Sequence, residues 1–135
     1  METETKNPEA SMRTREIPLG DWPRFFDEFS RRYRGWLVNV DIFGALGAQV
    51  AAHERALKGV VVEERNGRPA IEILTGNGPD ETLAHTVARP TRVQVEETHE
   101  GAEAAVQIES RDEGRTLIQF RAPALPEAVD GLPGH

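Results

Sequence analysis

The spacing of apolar residues changes once along the chain, and that change separates a helix from a run of strands. In "GDWPRFFDEFSRRYRGW", residues 20–36, Trp22, Phe25, Phe26, Phe29 and Tyr33 recur at i, i+3, i+4, i+7 and i+11. At about 100° per residue this spacing confines them to a stripe roughly 100° wide, the apolar face of an amphipathic helix. Asp21 is placed to cap the first turn, and Pro23 fits there because its missing N–H has no helical partner. Gly35 supplies the left-handed stop, which puts Trp36 at the start of a strand.

From Trp36 onward the period is two. Trp36, Val38, Val40 and Ile42 point one way while Asn39 and Asp41 point the other, as in a half-buried strand. "GALG" (44–47) predicts a bend and residues 48–53 a second strand. Strands near 60–65 and 69–74 flank Asn66-Gly67, which readily takes the positive φ angles of a type I′ turn. "TLAHTVA" and "RVQVEE" follow on either side of Pro90, and "AVQIES" and "RTLIQF" form a last hairpin around "RDEG" (111–114). One helix followed by short, one-sided strands predicts an α+β domain, with the amphipathic helix packed on a strongly bent antiparallel sheet or open small barrel of six to seven strands.

The ends differ in composition. Residues 1–16 are polar and read as a flexible arm, and Pro123, Pro126 and Pro133 mark residues 122–135 as a flexible tail. Residues 17–121 are expected to form one domain. The length of 135 residues is sufficient to bury a core without metals or disulfides. A formal net charge of -7 opposes nucleic acid and anionic membrane on average. There is no cysteine, which excludes disulfides, thiolate metal sites and cysteine nucleophiles. No apolar run reaches the roughly 20 residues of a membrane helix, and residues 1–16 lack the apolar segment of a secretory signal. A cytoplasmic protein without membrane partners is expected.

Candidate chemistry is sparse. His53-Glu54 and His99-Glu100 have no second histidine at helical spacing to complete a zinc motif, so no metal or cofactor is expected. Glu63-Glu64 and Glu96-Glu97 are neighbours on strands, where adjacent side chains face opposite ways, and they read as solvated edges rather than acid/base pairs. Ser11, Ser30 and Ser110 lie in no nucleophile elbow. His85 alternates with Leu83 and Val87 and reads as a core-facing histidine, with a role in a small-molecule pocket as the sharper alternative. The expectation is therefore not an enzyme.

Arg31, Arg32 and Arg34, next to Tyr33 and Trp36, combine cations with π faces, the ingredients of single-stranded nucleic-acid binding. A structural account explains the same residues. Cations in the last turn match the helix dipole, and Asp27–Arg31 and Glu28–Arg32 have the spacing of i,i+4 ion pairs. Across residues 20–36 four arginines face three acids, one net positive charge.

"DWPRFFDEFSRRYRGWLV", followed by "GAQV", "LAHTV", "RPTRV" and "AVQIESRDEGRTLIQF", resembles a family of small bacterial proteins catalogued only as a domain of unknown function. The likeness spans about residues 16 to 121, and the helix followed by R-G-W is its most specific part. It implies a single soluble domain and brings no activity, cofactor or catalytic residue. The leading expectation is a small non-catalytic interaction module that meets a protein partner or a second copy of itself through a sheet edge or exposed aromatic surface. The rivals are nucleic-acid binding through Arg31, Arg32 and Arg34 with Trp36, and a small-molecule site beside His85.

Overall fold

The computed structural model describes residues 13–98, 103–112 and 114–120. The proposed tail, His99 and residues 1–12 of the proposed arm lie outside these. One α-helix, α1 (Trp22–Tyr33), precedes most of an eight-stranded antiparallel sheet. The strands are β1 (Arg13–Ile17), β2 (Leu37–Gly44), β3 (Gly47–Arg65), β4 (Arg68–Thr75), β5 (Leu83–Ala88), β6 (Pro90–Glu97), β7 (Glu103–Ser110) and β8 (Gly114–Phe120). They lie in the order β1-β6-β7-β8-β2-β3-β4-β5.

Eight strands replace the expected six to seven, and two physical details account for the altered layout. Arg13–Ile17, mostly assigned to the arm, pairs with β6 as an extra edge strand. Its charged side chains hid it, because an edge strand with four exposed positions has no apolar alternation to read. Residues 48–53 and 60–65, expected as separate strands, are the two ends of one 19-residue strand. β3 pairs with β2 up to Ala56 and with β4 from Leu57 onward. Glu54, at φ 49°, and the register shifts between Val38 and Asp41 mark where it bends.

A second corner joins β5 to β6 through Arg89 alone, at φ 49°. There the Ser110 hydroxyl donates to the Ala88 carbonyl (2.7 Å) and the Arg111 N–H to the Arg89 carbonyl (3.1 Å). The sheet thus curls until its far ends meet at a corner, yet β1 pairs only with β6 and β5 only with β4, so it stays open. Asn66 and Gly67 have φ of 54° and 76°, the positive pair expected for the β3–β4 turn.

The inward positions of the bent sheet form the core. Val38, Val40, Leu57, Ile71, Ile73, Val87, Val93, Val95, Val106, Ile108 and Ile118 are almost wholly buried. The helix covers this face with Trp22, Phe26, Phe29 and Tyr33, while Phe25 is half-buried at the margin. Gly35, at φ 91°, ends the helix and donates its N–H to the Leu57 carbonyl at 2.8 Å, so the stop also fastens the helix exit to β3. Two side chains satisfy buried main chain between helix and sheet. Ser30 Oγ donates to the Val60 carbonyl (3.2 Å) and accepts from the Val60 N–H (2.8 Å). Trp22 Nε1 donates to the Ile17 carbonyl at 2.9 Å.

Asp21 does not cap the helix. A 3-10 turn, Leu19–Asp21, precedes it, the Asp21 N–H is given to the Pro18 carbonyl, and the carboxylate turns to Arg24 at 3.0 Å. Glu97 also departs from expectation. It is buried rather than solvated, because a register shift at Glu96/Glu97 and the added strand β1 bring Arg15 to 2.8 Å.

Two substitutions test the helix–sheet contact. Phe26→Ala is expected to cost about 3–5 kcal/mol, as for other fully buried phenylalanines, and half-exposed Phe25→Ala markedly less. Ser30→Ala leaves the Val60 N–H and carbonyl without their partner and should cost about 1–3 kcal/mol. Urea unfolding followed by tryptophan fluorescence reads both.

Candidate functional site

The helix end separates its arginines. Arg31 Nη2 reaches Asp27 at 2.8 Å on the helix surface, the predicted i,i+4 pair. Arg32 does not pair with Glu28; it crosses to Glu103 at the start of β7, at 3.0 Å. That choice follows from geometry, since Glu103 is held by Tyr33 next to Arg32. Arg34 sits at the C-cap, exposed and with no ion pair among the described residues. Trp36 is half-buried, its ring 5.1 Å from Tyr33 and 5.5 Å from Phe120. Arg31 and Arg32 therefore turn to different partners, Arg34 stands apart, and among the described residues the three do not line one groove. The π faces that nucleic acid would need are packed against each other.

A cleft of about 350 Å³ opens between this helix and β1. Half-buried Phe25 forms part of its wall, Arg15, Arg24 and Arg32 supply cations, and Asp21, Glu28 and Glu103 supply carboxylates. Arg15 is held by Glu97, Arg24 by Asp21 and Arg32 by Glu103, so the cleft presents balanced charge.

The other end of the sheet is different in chemistry. β1 carries Arg13, Arg15 and Glu16, tied to Glu97 and Arg92 of β6, which is the charged edge that discourages strand addition. β5, "LAHTVA", carries no charged residue. Because the Ala88 carbonyl is turned away from β4 toward Ser110, strand alternation turns the N–H and C=O groups of Ala84 and Thr86 outward as well. Leu83 is 40% exposed on this strand. Beside it stands the tip of the β2–β3 hairpin, where Leu46 is 87% exposed between glycines. His85 links the two, lining a cavity of about 350 Å³ with Ile42, Leu46, Gln49 and Asp112. A smaller void of about 30 Å³ behind it is lined by Val40, Ala52, Ile73, Thr75 and Leu83. His85 is thus half-buried at the rim of the apolar interior rather than within the core.

Sequence reasoning placed His85 on the right strand and missed its surroundings. The signal for Leu46 was present: a large apolar residue in a glycine-flanked bend, a place where polar residues normally stand. Nothing local could reveal Glu103, seventy residues from Tyr33. Its carboxylate accepts from the Tyr33 hydroxyl at 2.5 Å, and its N–H donates back to that oxygen at 3.3 Å. Burial first, then the bond to Glu103 and its negative charge, raise the Tyr33 hydroxyl above its ordinary 10.0.

A raised value for this acid means that the neutral hydroxyl contributes stability below pH 10, and that the contribution is lost as pH rises through the folded value. Tyr33 is the single tyrosine, so ultraviolet titration reads it alone. The expected midpoint lies above 10.0 in the folded chain and returns to about 10 in denaturant. The stability gap between the native chain and Tyr33→Phe should narrow above pH 10.

Comparison with known families matches residues 13–128 to one described as a family of unknown function, DUF5335. No curated protein and no solved structure matches the chain. The family match begins at Arg13, the first residue of β1, and takes in every described element through β8. On that coverage the chain belongs to the family of unknown function DUF5335.

Proposed function

We propose that this chain is a small interaction module that associates with a second copy of itself by antiparallel pairing of the two β5 strands. The observation that carries the proposal is the inequality of the two sheet edges. β1 is blunted by charge, whereas β5 offers outward main-chain groups at Ala84 and Thr86 and no charged side chain. Unpaired main-chain donors and acceptors on an uncharged edge are a template for another strand.

A twofold axis through His85 suits the sequence of β5. It sets Ala84 against Thr86 of the second copy, so the outward groups of each exchange hydrogen bonds. It sets Leu83 against Val87 and brings the Glu81 end of one strand beside the Arg89 end of the other, opposite charges at both ends. Exposed Leu46 adjoins this edge and adds apolar surface. A partner other than a second copy would need to match the same short, neutral strand. The net charge of -7 on each copy opposes association at long range, and salt screens that repulsion.

Sedimentation equilibrium is expected to show a dimer that tightens between roughly 20 and 500 mM salt (about a fivefold drop in Debye length). Ala84→Pro removes an outward N–H without touching the β4 ladder, and Ala84→Lys adds the charge that blunts edges elsewhere. Both should be monomers with near-native circular dichroism. A native chain that stays monomeric at every salt, or variants that remain dimeric, would refute the proposal.

A further inference from the structure

We infer that a groove on the outer face of the sheet, between the β3–β4 turn and the end of β5, binds the phosphate group of a small phosphorylated molecule. The groove has a volume of about 430 Å³, within the range of small-molecule sites. Arg65 and Arg68 reach it from either side of the Asn66-Gly67 turn, and Arg89 from the β5–β6 corner. Thr86 and the Asn66 amide add neutral donors, and Ala70 with Ala88 gives an apolar wall. No carboxylate-bearing residue lines it, in a chain whose net charge is -7. Against that acidic background three arginines line one groove, Arg65 and Arg89 paired with Glu63 and Asp112, and the third leaves the groove with net positive charge.

The arginines differ in how they are held, and the difference suits anion capture. Arg65 donates from Nε (3.1 Å) and Nη2 (3.0 Å) to Glu63 Oε1, which fixes its plane. Arg89 donates through the same two nitrogens to the Asp112 carboxylate. A guanidinium has five N–H donors, so each oriented arginine keeps donors at Nη1 for a ligand. Arg68 is exposed and makes no ion pair among the described residues, which makes it the net positive charge of the groove. A planar fork matches the oxygens of a phosphate, and rigid forks lose less side-chain freedom on binding. Arg89 also occupies a left-handed φ of 49°, a backbone conformation that glycine or asparagine adopts more readily.

The groove shares Thr86 and Arg89 with the β5 edge but uses their side chains, standing off the face of the sheet, whereas strand pairing uses main-chain groups in its plane. The test is a titration of the full-length, isotopically labelled chain with inorganic pyrophosphate, inorganic phosphate and citrate, followed by amide resonances. Pyrophosphate should give saturable shifts centred on residues 65–68 and 86–89, and citrate, whose anions are carboxylates, should bind more weakly. Arg68→Gln should weaken pyrophosphate binding about tenfold, the effect of losing one charged hydrogen bond. Arg89→Gly should do the same while suiting the φ at that position, so loss of binding is not loss of fold; unchanged amide dispersion checks this. Shifts that do not saturate by tens of millimolar would overturn the inference. So would shifts spread over every surface arginine, shifts indifferent to both substitutions, or tighter binding of citrate than of pyrophosphate.

Discussion

Burial of the aromatic stripe of α1 against the bent sheet is the contact on which the other features of the fold depend. Phe26 is wholly enclosed, Trp22, Phe29 and Tyr33 nearly so, and Phe29 and Tyr33 continue the packing into Phe120 of β8 at 5.8 and 4.5 Å. Rings of this size contribute several kcal/mol each through removal from water. Such burial is possible only where the polar groups swept along with it are satisfied. Trp22 Nε1 uses the Ile17 carbonyl, Ser30 binds both main-chain groups of Val60, and the Tyr33 hydroxyl binds Glu103. Through these three anchors the helix holds the segment entering from β1, the middle of β3 and the start of β7 in one arrangement.

That arrangement determines where the sheet can and cannot end safely. With the helix filling one side, the sheet bends at Glu54 in β3 and turns at Arg89 between β5 and β6. Bending brings β5 back toward β7, but the contact stops at the Ser110 and Arg111 bonds to Ala88 and Arg89. Residues 83–87 are left on an edge. At the opposite edge β1 is laced to β6 by Arg15–Glu97 and Arg92–Glu16. One edge of the sheet is thus shielded by charge and the other is neutral. The arginine groove lies where the β4–β5 ladder, with Ala88 opposite Ala70, brings Arg89 at the β5–β6 corner beside the β3–β4 turn.

Much of the fold was legible because it is written in local spacing. The helix stripe from Trp22 to Tyr33, the Gly35 stop, the Asn66-Gly67 hairpin and the alternation of β2 and β8 all depend on neighbours within a few residues. What sequence did not disclose was set by distant partners. β1 is a strand because β6 lies beside it, and Glu97 is buried because β1 does. Arg32 abandons the helical partner Glu28 because Tyr33 holds Glu103 close by. The unity of β3 was hidden by the bend at Glu54, where the alternation changes phase and one strand looks like two. The candidate site was less legible still. Arg31, Arg32 and Arg34 are neighbours in the chain but turn to different surroundings, whereas Arg65 and Arg68 flank one turn and are joined at one groove by Arg89 from a distant strand end.

The central claim, that β5 is a pairing edge for a second copy, is tested most directly by hydrogen exchange at the Ala84 and Thr86 amides as a function of protein concentration. Both N–H groups point away from β4, so in a single copy they face solvent and exchange readily. The account predicts that their protection rises with concentration while that of Val87, directed into the β4 ladder, hardly changes. Fast exchange at Ala84 and Thr86 that is independent of concentration would contradict it.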